Sequence, residues 1–209
     1  MSNTSLDSTA SEKNARHLRI TEPSPWVMRW MHLIRAKSTI LDLAAGGGRH
    51  GRMLLDQGHK VTFVDRTTEP LHDLTPHTDA DVIEVDLENG GAWPLGERRF
   101  DAVIVVNYLH RDLFDPIVSS LTPGGVLLYE TFARGNEDYA RPRNPDHLLK
   151  SGELLNAVQG KLQVVGYEHG LVTNADIPGV KQRLCAVNNL ANSDREDGEP
   201  APYGLSPLS

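Results

Sequence analysis

The sequence has little cysteine and no long apolar run. Its 209 residues include one cysteine, Cys185, so no disulfide can form within the chain and no cysteine-based metal site is indicated. Cys185 lies in the apolar run RLCAV, where a buried, inert strand residue is the expected role and a nucleophile the alternative. No segment is apolar over the length that a signal peptide or a membrane-spanning helix needs. We therefore expect a cytoplasmic protein that neither holds a metal nor enters a membrane.

The sequence also lacks an excess of basic residues. It has 28 Asp and Glu against 21 Lys and Arg, and its net charge is -7 at pH 7. Broad binding to nucleic acids or anionic membranes requires a basic surface that neutralises phosphate. The chain is also too short for an added recognition domain, because its length suits one well-buried domain. A small-molecule partner is therefore favoured, and a protein partner stays open.

The two ends differ in composition from the middle of the chain. Residues 1–20 and 190–209 are polar and rich in Ser, Asp, Gly and Pro, so we expect disordered tails around a folded domain at 21–189. In this domain, Ser24 and Pro25 predict the start of a helix. Five strand-like runs follow, TILDLA, KVTFVD, DVIEVD, FDAVIVVNYL and GGVLLYETF, and three of the four intervals between them can hold a helix. This alternation predicts a parallel sheet with helices on both faces. The last two runs, KLQVVGYEHGLV and VKQRLCAVNN, are separated by a short turn and should pair antiparallel.

A glycine-rich segment, STILDLAAGGGRHGRML, follows the first strand. Gly46, Gly48 and Gly51 match the G-x-G-x-x-G pattern of dinucleotide folds, which alone is a weak signal. Asp42 precedes these glycines at the end of the strand, where its charge would repel a pyrophosphate and attract a cation. The ammonium and sulfonium of S-adenosylmethionine are such cations. The alternative is that Asp42 only caps the glycine loop.

Two further acids end strands. Asp65 closes the second strand, where it can accept both hydroxyls of a ribose, and Asp86 closes the third, where it can accept from an adenine amino group. Both adenosyl and dinucleotide ligands place an acid at the position of Asp65, so it does not separate the two. For each residue the alternative is an exposed strand-end acid.

The segment ILDLAAGGGRHGRMLLDQGHKVTFVD resembles the glycine motif and following acid of class I S-adenosylmethionine-dependent methyltransferases, and its glycine-rich part is similar to the small tellurite-resistance-like members. RRFDAVIVVNYLHRDL and LTPGGVLLYETF resemble the family's fourth and fifth strands, so the similarity covers about residues 36–132. The resemblance implies an α/β, Rossmann-like sheet of seven strands in the order 3-2-1-4-5-7-6, with strand 7 antiparallel and helices on both faces. It also implies S-adenosylmethionine as the cofactor, held by Asp42, Ala44, Gly46, Gly48, His50, Asp65, Arg66, Asp86, Leu87 and Asn107.

The sequence departs from the family at two places. Ala44 stands where the family usually has glycine, which should be tolerated if this residue does not need a positive φ. The Asn-Pro-Pro-Tyr motif of enzymes that methylate nucleobase or glutamine amino groups is replaced by NYLH at residues 107–110. That substrate class is therefore not carried over.

Candidate catalytic residues follow the fourth and fifth strands. Methyl transfer from a sulfonium is an in-line displacement, and a base is needed only when the acceptor arrives protonated. His110 is the candidate base, with a cap or surface role as the alternative. Tyr108 is expected to pack on the cofactor or substrate. Glu130 could orient an acceptor or instead anchor the loop that follows it.

That loop, Ala133 to Glu153, has the length of a lid. Its Arg134, Arg141, Arg143 and His147 could join Arg111 in a cationic mouth for an anionic acceptor, or its arginines could pair with the loop's own acids. Trp26 and Trp30 could close the other side of the site on the sulfonium, or they could belong to the core.

Three functions remain open at the level of sequence. The leading prediction is an S-adenosylmethionine-dependent methyltransferase that acts on a small molecule. The first alternative is a non-catalytic binder of an adenosyl ligand or a partner subunit. The second is an NAD-dependent oxidoreductase, which Asp42, the terminal hairpin and the lack of a Tyr-x-x-x-Lys pair disfavour.

Overall fold

Strand-forming runs and turns combine into one sheet. In the computed structural model, which describes residues 21–173, 177–191 and 195–205, seven strands pair in the order β3-β2-β1-β4-β5-β7-β6. They are β1 Thr39–Leu43, β2 Lys60–Asp65, β3 Ala80–Glu84, β4 Phe100–Val106, β5 Leu121–Phe132, β6 Gln163–Val172 and β7 Gly179–Val187. Strands β1 to β5 run parallel to one another, and β7 is antiparallel to β5 and β6. The fold class and strand order predicted from sequence are confirmed.

Short helices connect these strands. They are α1 Pro25–Trp30, α2 Arg49–Asp56, α3 Phe114–Ser119 and α4 Glu153–Val158, with 3-10 turns that include Glu69–Leu74 after β2 and Arg111–Leu113 after β4. The predicted start of α1 is confirmed, because the Ser24 side chain accepts from the Trp26 amide and Pro25 occupies the first helical position.

The central strands are buried on both faces, because their apolar side chains alternate between the two sides of the sheet and pack on each. On β1, Leu41 and Leu43 belong to the apolar layer under α3 and α4, whereas Ile40 belongs to the layer under α1 and α2. Asp42 has the same parity as Ile40, so its carboxyl group lies on the α1 and α2 side. A charged residue is thereby placed at the end of an otherwise apolar strand.

The C-terminal hairpin completes this core. Cys185 on β7 is fully buried, and burial raises the pKa of its thiol to about 12. The expected buried strand position is confirmed, and a thiol with so high a pKa carries almost no nucleophilic thiolate near neutral pH.

The chain ends are described only in part. Residues 1–20 lie outside the described residues, so the predicted N-terminal tail stays a prediction. Residues 195–205 form no helix or strand, and Tyr203 among them is half-buried and accepts a hydrogen bond from Asn189 Nδ2 at 3.2 Å. Within the described ranges, no helix has the length and apolar character needed to cross a bilayer.

Candidate functional site

The carboxyl ends of β1 to β4 border a cavity of about 340 Å³. Open parallel sheets bind ligands at this edge, and the volume lies in the range of small-molecule sites. Of the predicted cofactor residues, all but Gly48 line the cavity, and so does Tyr108 among the predicted catalytic residues. The remaining lining residues are Ala45, Gly47, Arg49, Thr67, Val85, Glu88, Val106 and Ile177.

The glycine-rich loop between β1 and α2 forms the floor of this cavity. Ala44, Gly46 and Gly48 all have positive φ, at 54°, 57° and 73°. A Cβ on Gly48 would lie 2.7 Å from Leu71 Cδ2, so this glycine is needed for packing behind the loop rather than for contact with a ligand. Ala44 does adopt a positive φ. Alanine was expected to be tolerated here only without a positive φ, so its side chain strains the loop.

We expect an Ala44→Gly variant to be slightly more stable than the wild type. The left-handed conformation costs alanine about 1 kcal/mol or more, and glycine adopts it freely, although glycine also loses more entropy on folding. The net gain in free energy of unfolding should be at most about 1 kcal/mol, measured by urea denaturation. Gly170→Ala is the control, because this position has open space and no positive φ. It measures how an exchange between glycine and alanine changes stability where no backbone strain is involved. A clear loss of stability in Ala44→Gly would contradict the strain at this position.

Arg52 fastens the glycine loop to the segment after β2. Its guanidinium donates to the Gly47 carbonyl at 2.9 Å and the Pro70 carbonyl at 2.8 Å, and it forms a bidentate ion pair with Asp73. The fork geometry of arginine suits such a multiple contact. The two loops that carry Gly46 and Asp65 are thus held in a fixed relation.

Asp42 lies at the back of the cavity with an exposed fraction of 1%. Its Oδ2 accepts from the Gly51 amide at 2.8 Å, and a Cβ on Gly51 would lie 2.9 Å from the same oxygen. Burial raises the pKa of Asp42 to about 7, against the lowering effects of the Gly51 hydrogen bond and the charge of Arg49. Asp42 therefore caps the start of α2 and also presents a carboxyl group to the cavity, which combines the two roles considered from sequence.

The acids on β2 and after β3 lie along one side of the cavity. Asp65 Oδ2 accepts from the Gly46 amide at 2.8 Å and its Oδ1 accepts from the Thr67 amide at 3.1 Å, which leaves acceptor capacity on each oxygen. Asp86 and Glu88 follow β3. Near them, the Tyr108 hydroxyl is buried and lies close to the Glu88 carboxylate. Burial and the charge of Glu88 raise the pKa of Tyr108, so its hydroxyl stays protonated and can only be a hydrogen-bonding group.

A buried polar network lies behind the opposite side of the cavity. Glu130 Oε1 pairs with Lys181 Nζ at 2.5 Å, its Oε2 accepts from Ser24 Oγ at 2.6 Å, and Lys181 Nζ also donates to Asn107 Oδ1 at 3.0 Å. The Ser24 amide in turn donates to His50 Nε2 at 3.1 Å. Lys181 and Glu130 are 2% and 1% exposed, so this is an ion pair removed from water.

The ionisation of this network follows from its burial and its charges. Burial alone would raise the pKa of Glu130, but Lys181, Arg183 and the Ser24 hydrogen bond outweigh it and hold this pKa below the usual range. Burial lowers the pKa of Lys181, and the charge of Glu130 opposes that shift. Burial also lowers the pKa of His50 to about 3, which keeps this imidazole neutral at physiological pH.

Two of the predicted catalytic residues do not line the cavity. Glu130 is enclosed in the network just described, an environment that suits an anchoring role. His110 Nε2 lies 4.0 Å from the exposed Asp112 carboxylate, outside the cavity wall. The catalytic roles of His110, Tyr108 and Glu130 stay predictions.

The loop after β5 uses its charges internally. Arg111 pairs with Glu153 at 2.6 Å and donates to the backbone carbonyls of Asp146 and Leu148, while Arg134 pairs with Glu137 at 2.8 Å. Arg141, Arg143 and His147 are exposed and do not line the cavity. These contacts favour the solvated-loop interpretation over a cationic mouth. Trp26 and Trp30 are buried in the core and do not line the cavity.

The sequence interpretation did not identify several important residues. Lys181 and Ser24 belong to the network, and Ile177 lines the cavity from the turn between β6 and β7. These residues lie outside the glycine motif, and no local pattern marks them as part of a ligand site, although Ser24 was predicted to begin a helix. Arg49 and Glu88, in contrast, are adjacent to predicted site residues and could have been included by position.

A family comparison gives a match over the part of the chain that carries most of this site. Residues 40–125 match the model of a methyltransferase domain. That segment includes β1 to β4 and the glycine-rich loop. The match and the sheet order confirm the resemblance to class I S-adenosylmethionine-dependent methyltransferases, and S-adenosylmethionine as the cofactor of this class.

Particular structures share this fold. TehB from Haemophilus influenzae is 16% identical with a TM-score of 0.61, over 75% of this chain and 59% of TehB, so the chain spans less than two thirds of that protein. The N-methyltransferase NodS from Bradyrhizobium japonicum is 15% identical with a TM-score of 0.57, over 88% of this chain and 99% of NodS. No curated protein matches the chain.

A third structure contains both of its ligands. The 1,6-didemethyltoxoflavin-N1-methyltransferase from Burkholderia thailandensis, with bound 1,6-didemethyltoxoflavin and S-adenosylhomocysteine, is 19% identical with a TM-score of 0.58, over 88% of this chain and 83% of that enzyme. At identities this low, the structural likeness establishes the fold and leaves substrates open.

Proposed function

We propose that this protein is an S-adenosylmethionine-dependent methyltransferase that acts on a small-molecule acceptor. The observation that carries the proposal is the cavity itself. A loop with positive φ at Ala44, Gly46 and Gly48 brings backbone close to the ligand space, and an acid from each of the first two strands borders that space. The predicted cytoplasmic location stays a prediction.

The cavity fits the chemistry of an adenosyl ligand. On the β2 and β3 side, Asp65 keeps acceptor capacity for ribose hydroxyls, and Asp86 can accept from an adenine amino group. On the β1 side, Asp42 offers a carboxyl group to a cation. A pyrophosphate at the glycine loop would face Asp42, which disfavours the dinucleotide alternative.

Bound in this cavity, S-adenosylmethionine supplies an activated methyl group on its sulfonium. The chain's own contribution is to orient the reactants and to exclude water. Val106 and Ile177 give the cavity apolar wall near the end of β4, and the neutral hydroxyl of Tyr108 can donate a hydrogen bond there. Because neither His110 nor Glu130 reaches the cavity, an acceptor that needs no enzyme base suits this site best.

The sequence left open an anionic acceptor, but the contacts of the loop after β5 do not favour one. Arg111 and Arg134 are paired within that loop, as described above. A small neutral acceptor whose attacking atom is nucleophilic without deprotonation is compatible with the apolar wall. The relatives support this size class, because the Burkholderia thailandensis enzyme holds 1,6-didemethyltoxoflavin, which is a small molecule.

Binding without catalysis is the second candidate function. The observation in its favour is that both predicted proton-handling side chains, His110 and Glu130, lie off the cavity. An acceptor screen with radiolabelled S-adenosylmethionine separates the two candidates. Product formation with any small acceptor supports the enzyme, whereas tight ligand binding with no transfer across a broad panel supports the binder.

We expect isothermal titration to detect binding of S-adenosylmethionine and S-adenosylhomocysteine and no binding of NADH. Asp65→Ala should weaken both adenosyl ligands by about 10- to 100-fold, the effect of losing hydrogen bonds to a charged acceptor. Asp112→Ala removes a carboxylate whose side chain is 92% exposed outside the cavity, and it should leave both affinities unchanged. Binding of NADH alone, or of neither adenosyl ligand, would overturn the proposal.

A further inference from the structure

Two residues of the cavity wall are joined behind the wall by the buried network. Asn107 at the end of β4 and His50 on α2 both line the cavity, and the path between them runs through Lys181, Glu130 and Ser24. Lys181 lies on β7 and Glu130 on β5, so neither belongs to the elements that carry the glycine motif. The network therefore couples the C-terminal hairpin to the ligand site.

The chemistry of Lys181 determines how the Asn107 side chain is turned. An ammonium group has three donors and no acceptor, so the Asn107 atom that faces Lys181 Nζ at 3.0 Å must be the amide oxygen. The amide nitrogen is then the atom of this side chain that does not face Lys181, and Asn107 lines the cavity. Asn107 also has a φ of 59°, a left-handed conformation that asparagine tolerates better than most residues.

The same reasoning sets the tautomer of His50. Its Nε2 accepts from the Ser24 amide, so the single proton of the neutral ring lies on Nδ1. Asn107 and His50 are thus both fixed as hydrogen-bond donors in the cavity wall. Behind them, Lys181 pairs with Glu130, and Arg183 lies between the carboxylates of Glu130 and Glu168.

The sheet order places charged and donor groups at different positions along the cavity. Asp86 and Asp65 follow β3 and β2, Asp42 lies on β1, and the donors His50 and Asn107 follow β1 and β4. An anionic group of a ligand is therefore favoured beside Asn107 on the β4 side, and a cationic group beside Asp42. S-adenosylmethionine has one anionic group, the carboxylate of its amino-acid end.

We propose that Lys181 is a positioning residue that holds the Asn107 amide nitrogen as a donor for the carboxylate at the amino-acid end of S-adenosylmethionine. This inference rests on the proposed function and assigns a role within the same site. The His50 Nδ1 proton supplies a second donor on that side. Lys181 itself stays buried and does not touch the ligand.

The test compares three ligands that differ at the amino-acid end. S-adenosylhomocysteine has both the ammonium and the carboxylate, S-adenosyl-3-thiopropylamine has the ammonium alone, and 5′-methylthioadenosine has neither. The main variant is Asn107→Asp, which keeps an acceptor for Lys181 and a residue that tolerates the left-handed conformation, but replaces the donor with a carboxylate oxygen. Isothermal titration should show S-adenosylhomocysteine weakened by about 10- to 100-fold. The affinities of the other two ligands should not fall.

A second variant addresses Lys181 without leaving a buried charge unpaired. Lys181→Met combined with Glu130→Gln removes both charges of the pair, and Glu130→Gln alone is its reference. Loss of the amide orientation should weaken S-adenosylhomocysteine by about 3- to 10-fold relative to that reference and leave 5′-methylthioadenosine unchanged. Asn144→Asp, at a helical N-cap where both residues cap well, controls for an added negative charge.

Equal weakening of all three ligands in Asn107→Asp, or no weakening of S-adenosylhomocysteine, would overturn the role of Asn107 and Lys181. Such results differ from a failure of the proposed function, in which the wild-type protein binds none of the three ligands. A selective loss of the carboxylate-bearing ligand in both variants supports the inference, because a merely structural role would affect the three ligands alike.

Discussion

A Glu130→Ala variant is expected to lose about 3–5 kcal/mol of its free energy of unfolding. The Glu130 carboxylate is 1% exposed, and its removal leaves the ammonium of Lys181 buried without its anion. It also takes away the acceptor of Ser24 Oγ and the ion pair to Arg183 at 3.5 Å. The cost therefore comes mainly from the unpaired charge and only in part from the lost hydrogen bonds.

Urea denaturation of three variants checks this prediction. In Glu130→Gln with Lys181→Met, no charge of the pair is left alone, so the loss should be clearly smaller than in Glu130→Ala. Asp115→Ala breaks an ion pair to Lys161 whose side chains are 80% and 47% exposed, and it should cost less than about 1 kcal/mol. If Glu130→Ala were no more destabilising than Asp115→Ala, the pair of Glu130 and Lys181 would not behave as an ion pair removed from water.

An Asp42→Asn variant should be more stable than the wild type at pH 8 and about as stable as the wild type near pH 4. The pKa of Asp42 rises from its usual 3.8 to about 7 in the folded protein because of burial. Between these two values the unfolded chain releases the proton and the folded protein keeps it, so the wild type loses stability as the pH rises. The full difference above pH 7 is on the order of 4 kcal/mol.

The difference in free energy of unfolding between the wild type and Asp42→Asn reports on Asp42 alone, because other titrating groups contribute equally to both proteins. His50, with its pKa lowered to about 3, makes the wild type gain stability as the pH rises toward 6.5. It does so equally in the variant, and asparagine keeps an oxygen that can accept from the Gly51 amide. The measurement is urea denaturation of both proteins at half-unit steps from pH 4 to pH 8. Parallel stability curves across this range would refute the raised pKa.

Most of the cavity wall could be predicted from local sequence. Each strand-end acid directly follows an apolar run, and the glycines lie between a strand and a helix, so their place at the sheet edge follows from the order of elements. Nine of the ten predicted cofactor residues line the cavity for this reason. Gly48 is the exception, because its lack of a side chain serves packing against Leu71 and Phe63.

The candidate catalytic residues were harder to place for a physical reason. His110 and Glu130 each follow or end a strand at the correct edge, but the edge position does not determine which way a side chain points. Strand alternation sends Glu130 toward the α1 side, where Ser24 and Lys181 enclose it. The backbone conformation at Ala44 could not be predicted from sequence either, because a positive φ depends on how the loop packs against its neighbours.

The sequence by itself determined the alternation of strands and helices, the position of the glycine loop and the acids of the adenosyl side. These features are encoded within a few residues of one another, through hydrophobic period and turn chemistry. Only the tertiary structure decided that Lys181 meets Glu130 and Asn107, 51 and 74 residues away in the chain. That contact depends on the antiparallel register of β5 and β7, which pairs Phe132 with Lys181 and Glu130 with Arg183 and so brings one diagonal pair onto the same face. Register is a property of two strands packed together, and neither strand carries it alone.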